Sequence, residues 1–285
     1  MTFTHLDPAE IRRVASSMRK DIVEMIAMAG SGHPGGSLSA ADIVATLYFG
    51  VMRHDPAFPD WPERDRFVLS KGHAGPVLYA ALAEAGYFGR EHLPTLRKLG
   101  SILQGHPDSN KTPGVEVSTG SLGQGLSIAN GIALALRADG MTEQRVFCLL
   151  GDGELQEGQV WEAAMFAAHH HLGRLTAIVD HNGLQIDGSC QEVVDLGDIA
   201  AKFSAFGWSV CLVDGHDTDQ LLEVLGDRGK SDAPPRAIVC RTVKGRGVSF
   251  MENNAEWHGR ATNSEETSCA LGELACSVEE GSKKW

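Results

Sequence analysis

Between residues 146 and 240 the chain alternates short apolar runs with amphipathic stretches, and this alternation limits the fold more than any other feature. The runs 146–150, 175–179, 209–213 and 236–240 have strand length and are rich in Val, Ile and Leu, while 160–170, 198–206 and 218–225 carry the helical period. Strands separated by helices predict right-handed crossovers, hence a mainly parallel sheet covered on both faces, a three-layer α/β/α architecture. A further strand is predicted at 66–69, before the alternation becomes regular.

The first half supplies the remaining helices. Asp7-Pro8-Ala9-Glu10 offers an N-cap acceptor, a proline for the first turn and a carboxylate three residues on, and Ile11, Val14, Met18, Ile22 and Met25 follow at helical spacing. That helix should end near Ala29, where Gly30-Ser31-Gly32-His33-Pro34-Gly35-Gly36 frees the backbone and then forbids continuation. Further helices are predicted at 39–49, 76–86 and 126–136. One domain is expected over 1–264, followed by a polar, Ser- and Glu-rich tail, 265–285, with at most one short helix.

No apolar stretch approaches the ~20 residues of a membrane span, and the first 30 residues lack a signal-peptide core, so the expectation is a cytoplasmic protein with no membrane partner. A formal net charge of −12 argues against nucleic acid. The cysteines at 148, 190, 211, 240, 269 and 276 form no C-x-x-C pair and read as reduced core residues.

The chemistry concentrates at two strand ends. Gly151-Asp152-Gly153 follows the strand at 146–150, and Asp180-His181-Asn182 follows the next one, so parallel pairing brings Asp152 and Asn182 to one sheet edge. A carboxylate, an amide oxygen and a nearby main-chain carbonyl are hard ligands suited to Mg²⁺ or Ca²⁺, with positions left for phosphate oxygens. Gly-Asp-Gly alone is usually only a turn; Asn182, thirty positions on at the matching place, changes that.

The run Leu149-Leu150-Gly151-Asp152-Gly153-Glu154-Leu155-Gln156-Glu157-Gly158, continued to Asn182, resembles the thiamine diphosphate motif shared by transketolases, pyruvate dehydrogenase components, decarboxylases and acetolactate synthases. By itself it identifies the cofactor and not the reaction. Four histidines narrow the choice: His33, His73 and His106 each stand in a glycine-bearing turn, and His258 lies in Trp257-His258-Gly259. His5, His54, His92, His169, His170 and His171 read as surface or helix-end residues without a role.

The four-histidine set resembles transketolase over roughly residues 10–262, which implies a thiamin diphosphate-binding fold. The resemblance implies that His33, His106 and His258 are catalytic. His33 and His258 would contact the sugar, and His106 would bond the hydroxyl of the two-carbon unit. His73, Gly120, Ser121, Leu122, Gly153, Glu154, Asn182 and His258 would bind the cofactor, and Asp152, Asn182 and the Leu184 carbonyl would hold the metal. Glu157 and Glu162 match acidic residues at an interface between chains. Lys71, where full-length transketolases commonly have asparagine, and Gly36-Ser37-Leu38-Ser39 resemble the N-terminal chains of split transketolases.

Thiamine diphosphate also needs a carboxylate on its pyrimidine N1′, which in this family comes from a second domain. The 103 residues after Asn182 (285 − 182) are assigned to completing the first sheet. The expectation is therefore a partner chain bringing the pyrimidine-binding domain and its glutamate, sugar-phosphate substrates, and a heterotetramer. The alternatives are the alpha chain of a two-subunit 2-oxo-acid dehydrogenase and a non-catalytic cofactor-binding subunit.

Overall fold

The computed structural model describes residues 5–282, with side chains through residue 276. Helix α1 (Pro8–Ala29) starts on a capping box: the Glu10 N–H donates to Asp7 Oδ1 at 2.8 Å, and the Asp7 N–H donates to Glu10 Oε2 at 3.1 Å. It ends at Gly30, whose φ of 66° is the left-handed conformation glycine adopts freely. Helices α2 (Pro34–Ser39) and α3 (Ala41–Thr46) then run almost wholly buried into a wide turn at Leu47–Val51.

Strand β1 (Arg66–Leu69), helix α4 (Gly75–Ala85), helix α5 (Gln124–Ala138), strand β2 (Val146–Gly151), helix α6 (Gly158–His169) and strand β3 (Leu175–His181) follow. A small hairpin, β4 (Leu184–Gln185) and β5 (Gly188–Ser189), leads into helix α7 (Cys190–Val194). The chain continues through α8 (Ile199–Ala205), β6 (Ser209–Asp214), α9 (Thr218–Gly226), β7 (Arg236–Arg241) and α10 (Ser264–Ser282).

The main sheet is wholly parallel in the order β1-β2-β3-β7-β6. Successive side chains leave it on opposite faces, and each face has its own core. Phe147, Leu149, Ile178 and Ile238 pack with α1, α3 and α4, while Cys148, Leu150, Val179 and Val239 pack with α5, α6 and α8. That is the three-layer arrangement the alternation predicts.

Three expectations need correction. Residues 265–282 do not form a loose polar tail: α10 buries Ala270 and Leu274, four residues apart, against the core that holds α1, while 283–285 lie outside the described residues. The Ser and Glu residues around them mask a narrow apolar seam. His54 is half-buried, its ring nitrogens within hydrogen-bond distance of the Tyr87 hydroxyl (3.1 Å) and the Tyr48 carbonyl (2.7 Å). Of the cysteines only Cys148 and Cys240 are buried; Cys269 and Cys276 are exposed on α10.

Candidate active site

The carboxyl ends of β1, β2, β3 and β7 meet at one edge of the sheet. Register aligns Gly151 with Asp180 and Asp180 with Cys240, so the residues just beyond these strands converge. There a cavity of about 280 Å³ is lined by Asp152, Asn182, Leu184, Lys244, His73 and His258 among others.

The two side chains singled out by spacing are held by main-chain amides. Asp152 is buried and accepts from the Gly153 N–H (2.8 Å) and from the Gly183 N–H (2.5 Å). Asn182 Oδ1 accepts from the Leu184 N–H at 3.2 Å, and Asn182 Nδ2 donates to Asp180 Oδ2 at 3.2 Å. Burial, and then the neighbouring Asp180 charge, push the Asp152 carboxyl above its ordinary range. A cation would offset that cost.

Among the described residues no cluster of three or more His, Cys, Asp or Glu is placed to hold a metal. A site built from one carboxylate, one amide oxygen and one main-chain carbonyl fits a hard divalent ion without such a cluster. The residues present therefore fit the ion.

Cationic and imidazole groups form the opposite wall. Lys244, buried near the start of the loop after β7, donates from Nζ to the Leu184 carbonyl (3.0 Å) and lies 3.1 Å from His258 Nδ1. Burial, and then Lys71, lower its pKa to about 8. The rings of His33, His73 and His258 stand 5.1 to 5.5 Å apart, with His73 and His258 stacked.

Burial lowers His33 to about 4, with Arg97 adding to the effect, and lowers His258 to about 3, with Lys244 adding to it. Burial and then Lys71 hold His73 well below the ordinary imidazole value. All three rings are therefore neutral at pH 7. His33 Nδ1 is buried without a hydrogen-bond partner, as is Gln185 Oε1 at the cavity wall. Such orphaned groups mark a place where a ligand completes the bonding.

The remaining expected residues divide. Leu122 and Gly153 line the cavity with the others, and Gly120 packs against the His106 ring, where a Cβ would sit 3.1 Å from it. Gly72 approaches the same segment so closely that a Cβ would meet the Gly120 nitrogen at 2.7 Å. Ser121 and His106 are exposed, and the His106 ring is not one of the three clustered imidazoles.

Glu154 lines the cavity, but its carboxylate is taken by the Ser70 hydroxyl (2.5 Å) and the Gly123 (2.9 Å) and Gly151 (3.0 Å) N–H groups. Its carboxylate thus ties together the segments that end β1, open α5 and end β2. Sequence reasoning missed Lys244, Gln185 and the hub at Asp180; Lys244-Gly245-Arg246-Gly247 after a strand end was a usable signal for the first. A second cavity, about 320 Å³ beside Tyr48 and Tyr87, has its Arg64 and Glu116 paired at 2.9 Å and shows no such convergence.

Residues 11–277 match the family model described as transketolase, thiamine diphosphate binding domain. The chain is 45% identical over 265 residues to the 6-deoxy-6-sulfo-D-fructose transketolase subunit SqwG of Clostridium sp. (strain MSTE9), spanning 93% of this chain and 96% of that one. One of the subunits of the apulose-4-phosphate transketolase of Phocaeicola vulgatus is 39% identical over 266 residues, 93% of this chain and 94% of that one. Transketolase of Homo sapiens is 44% identical over 252 residues, which are 88% of this chain and 40% of the human one. Among solved structures, Pichia stipitis transketolase in complex with sedoheptulose-7-phosphate matches with a TM-score of 0.87 at 33% identity, over 96% of this chain and 44% of that one. The chain thus spans nearly all of two relatives that are subunits and less than half of the full-length enzymes.

Proposed function

This chain belongs to the transketolase family as a thiamine diphosphate-binding subunit, and on that premise we propose that, with a complementary chain, it transfers a two-carbon ketol unit from a ketose phosphate to an aldose phosphate. The observation that carries the reading is the convergence of Asp152, Asn182 and Leu184 with Lys244 and the neutral imidazoles of His73 and His258 on one cavity, with His33 packed edge-on against both rings. Thiamine diphosphate supplies the carbanion that such a transfer requires.

The chain's own residues supply anchoring and hydrogen bonding. Asp152, Asn182 and Leu184 O would hold Mg²⁺ or Ca²⁺, with the Lys71 and Lys244 ammonium groups opposing the diphosphate charge and the neutral His73 ring offering it a hydrogen bond. The Lys244 ammonium donates to His258 Nδ1, which places the ring proton on Nε2. His258 then offers an N–H, and the unpartnered His33 ring offers a nitrogen, to sugar hydroxyls entering above the cofactor. His106 would bond the hydroxyl of the two-carbon unit, and Gly120, Ser121 and Leu122 the aminopyrimidine.

Two features support a partner. The subunit relatives are spanned almost end to end, and α6 presents exposed Met165 (51%) and Phe166 (41%) beside exposed Glu162. The simplest assembly is a heterotetramer, two of this chain with two that bring the pyrimidine-binding domain and its glutamate. A cytoplasmic setting belongs to the same reading, and so does a thiamine diphosphate- and metal-binding domain that extends past residue 264 to include α10; among the described residues no helix is long and apolar enough to cross a membrane.

Nothing in the site favours a 2-oxo-acid dehydrogenase chain or a non-catalytic subunit. The test is co-expression with a complementary chain and assay against ketose phosphates, a sulfonated ketose, and a 2-oxo acid with lipoamide. Turnover of a ketose donor by the mixture, and by neither chain alone, is expected. Turnover of the 2-oxo acid instead, or an inert mixture, overturns the reading.

A further inference from the structure

Behind the cavity lies a carboxylate that does not line it. Asp180, fully buried near the end of β3, is surrounded by donors from four segments. Its Oδ2 accepts from Ser39 Oγ at the end of α2 (2.5 Å), from Lys71 Nζ just beyond β1, and from Asn182 Nδ2 (3.2 Å); its Oδ1 accepts from Thr242 Oγ1 just beyond β7. Its acceptor positions are filled, so Asp180 is not itself available to a metal.

Its effect falls on Asn182. An amide side chain is nearly symmetric in shape, and the two ends of the group have opposite uses at a cation: the oxygen ligates, the NH₂ repels. With Ser39, Lys71 and Thr242 all donating to it, the Asp180 carboxylate is used as an acceptor throughout, and so takes the NH₂ end of Asn182. The oxygen is thereby turned the other way, where it takes the Leu184 N–H and keeps a lone pair toward the cavity that Asp152 and Leu184 share. The same carboxylate fixes Lys71, whose Nζ also donates to the Gly36 carbonyl at 2.8 Å, in the cavity wall.

We propose that Asp180 is a positioning residue that selects the ligating orientation of the Asn182 amide and so sets metal-dependent cofactor affinity. This rests on the reading that Asp152, Asn182 and the Leu184 carbonyl hold the divalent ion. It makes the buried Lys71–Asp180 pair part of the site's geometry: Lys71, Ser39 and Thr242 fix the carboxylate in place, and its position beside Asn182 is what selects the amide rotamer.

The test is a double-variant cycle in the assembled two-chain enzyme, titrating thiamine diphosphate calorimetrically at fixed Mg²⁺ and melting each variant without cofactor. Asp180→Asn is expected to raise the dissociation constant about ten- to a hundredfold, the usual effect of removing a group that orients a metal ligand. In Asn182→Ala, which has no amide to orient, the same change should add less than about threefold, because groups acting through one another are not additive. A purely structural role predicts effects that multiply. Should Asp180→Asn fail to fold, Asp180→Glu, which keeps a partner for Lys71 but moves the carboxylate away from Asn182, is run through the same cycle and is expected to show the same loss of additivity. If Asn182→Ala and Asp152→Ala bind as tightly as the parent, the metal site itself is wrong. If those two lose affinity while Asp180→Asn keeps it or multiplies with Asn182→Ala, the positioning role alone falls.

Discussion

His33 and His258, lowered to about 4 and about 3 chiefly by burial, stay neutral where an ordinary imidazole is half protonated. For His33 the consequence is a stability that depends on pH. Between about 6.5 and about 4 the unfolded chain binds a proton at this residue and the folded chain does not, so acidification through that window favours unfolding. His33→Gln is expected to lose less stability than the parent between pH 6.5 and 4 in urea titrations; parallel curves would show that His33 is not held neutral. Asp152 and Asn182 were legible in the sequence because each closely follows an apolar run. The Asp180 network was not, since its partners Lys71 and Ser39 lie 109 and 141 positions away and only the folded sheet brings them together.

Elements with a strong pattern emerged close to their predicted bounds. Strands β1, β2, β3 and β7 are apolar on both faces, as strands covered by two helical layers must be, and the capping box announced α1. The hairpin at Leu184–Gln185 and Gly188–Ser189 was illegible, because two-residue strands carry no period, yet it supplies Leu184 and Gln185 to the cavity. Helix α10 was hidden by its composition. Its docking rests on Ala270 and Leu274, so Leu274→Ala should cost about 2–5 kcal/mol in denaturant unfolding of the chain. An unchanged midpoint would mean that α10 adds nothing to the core beside α1.

For the whole molecule, the exposed apolar pair on α6 sits where the partner chain is proposed to dock. Phe166→Glu should abolish or greatly weaken co-sedimentation with the complementary chain while leaving the circular dichroism of this chain unchanged; full assembly would move the interface elsewhere. The charge of −12 and the fold leave the central claim resting on the sheet edge, where the cofactor is anchored through a metal. The most direct measurement is calorimetric titration of thiamine diphosphate into the assembled enzyme carrying Asp152→Ala at fixed Mg²⁺. Loss of affinity by more than about a hundredfold is predicted, a larger effect than removal of a group that merely supports a ligand would have. Binding as tight as the parent's, with turnover intact, would contradict the account.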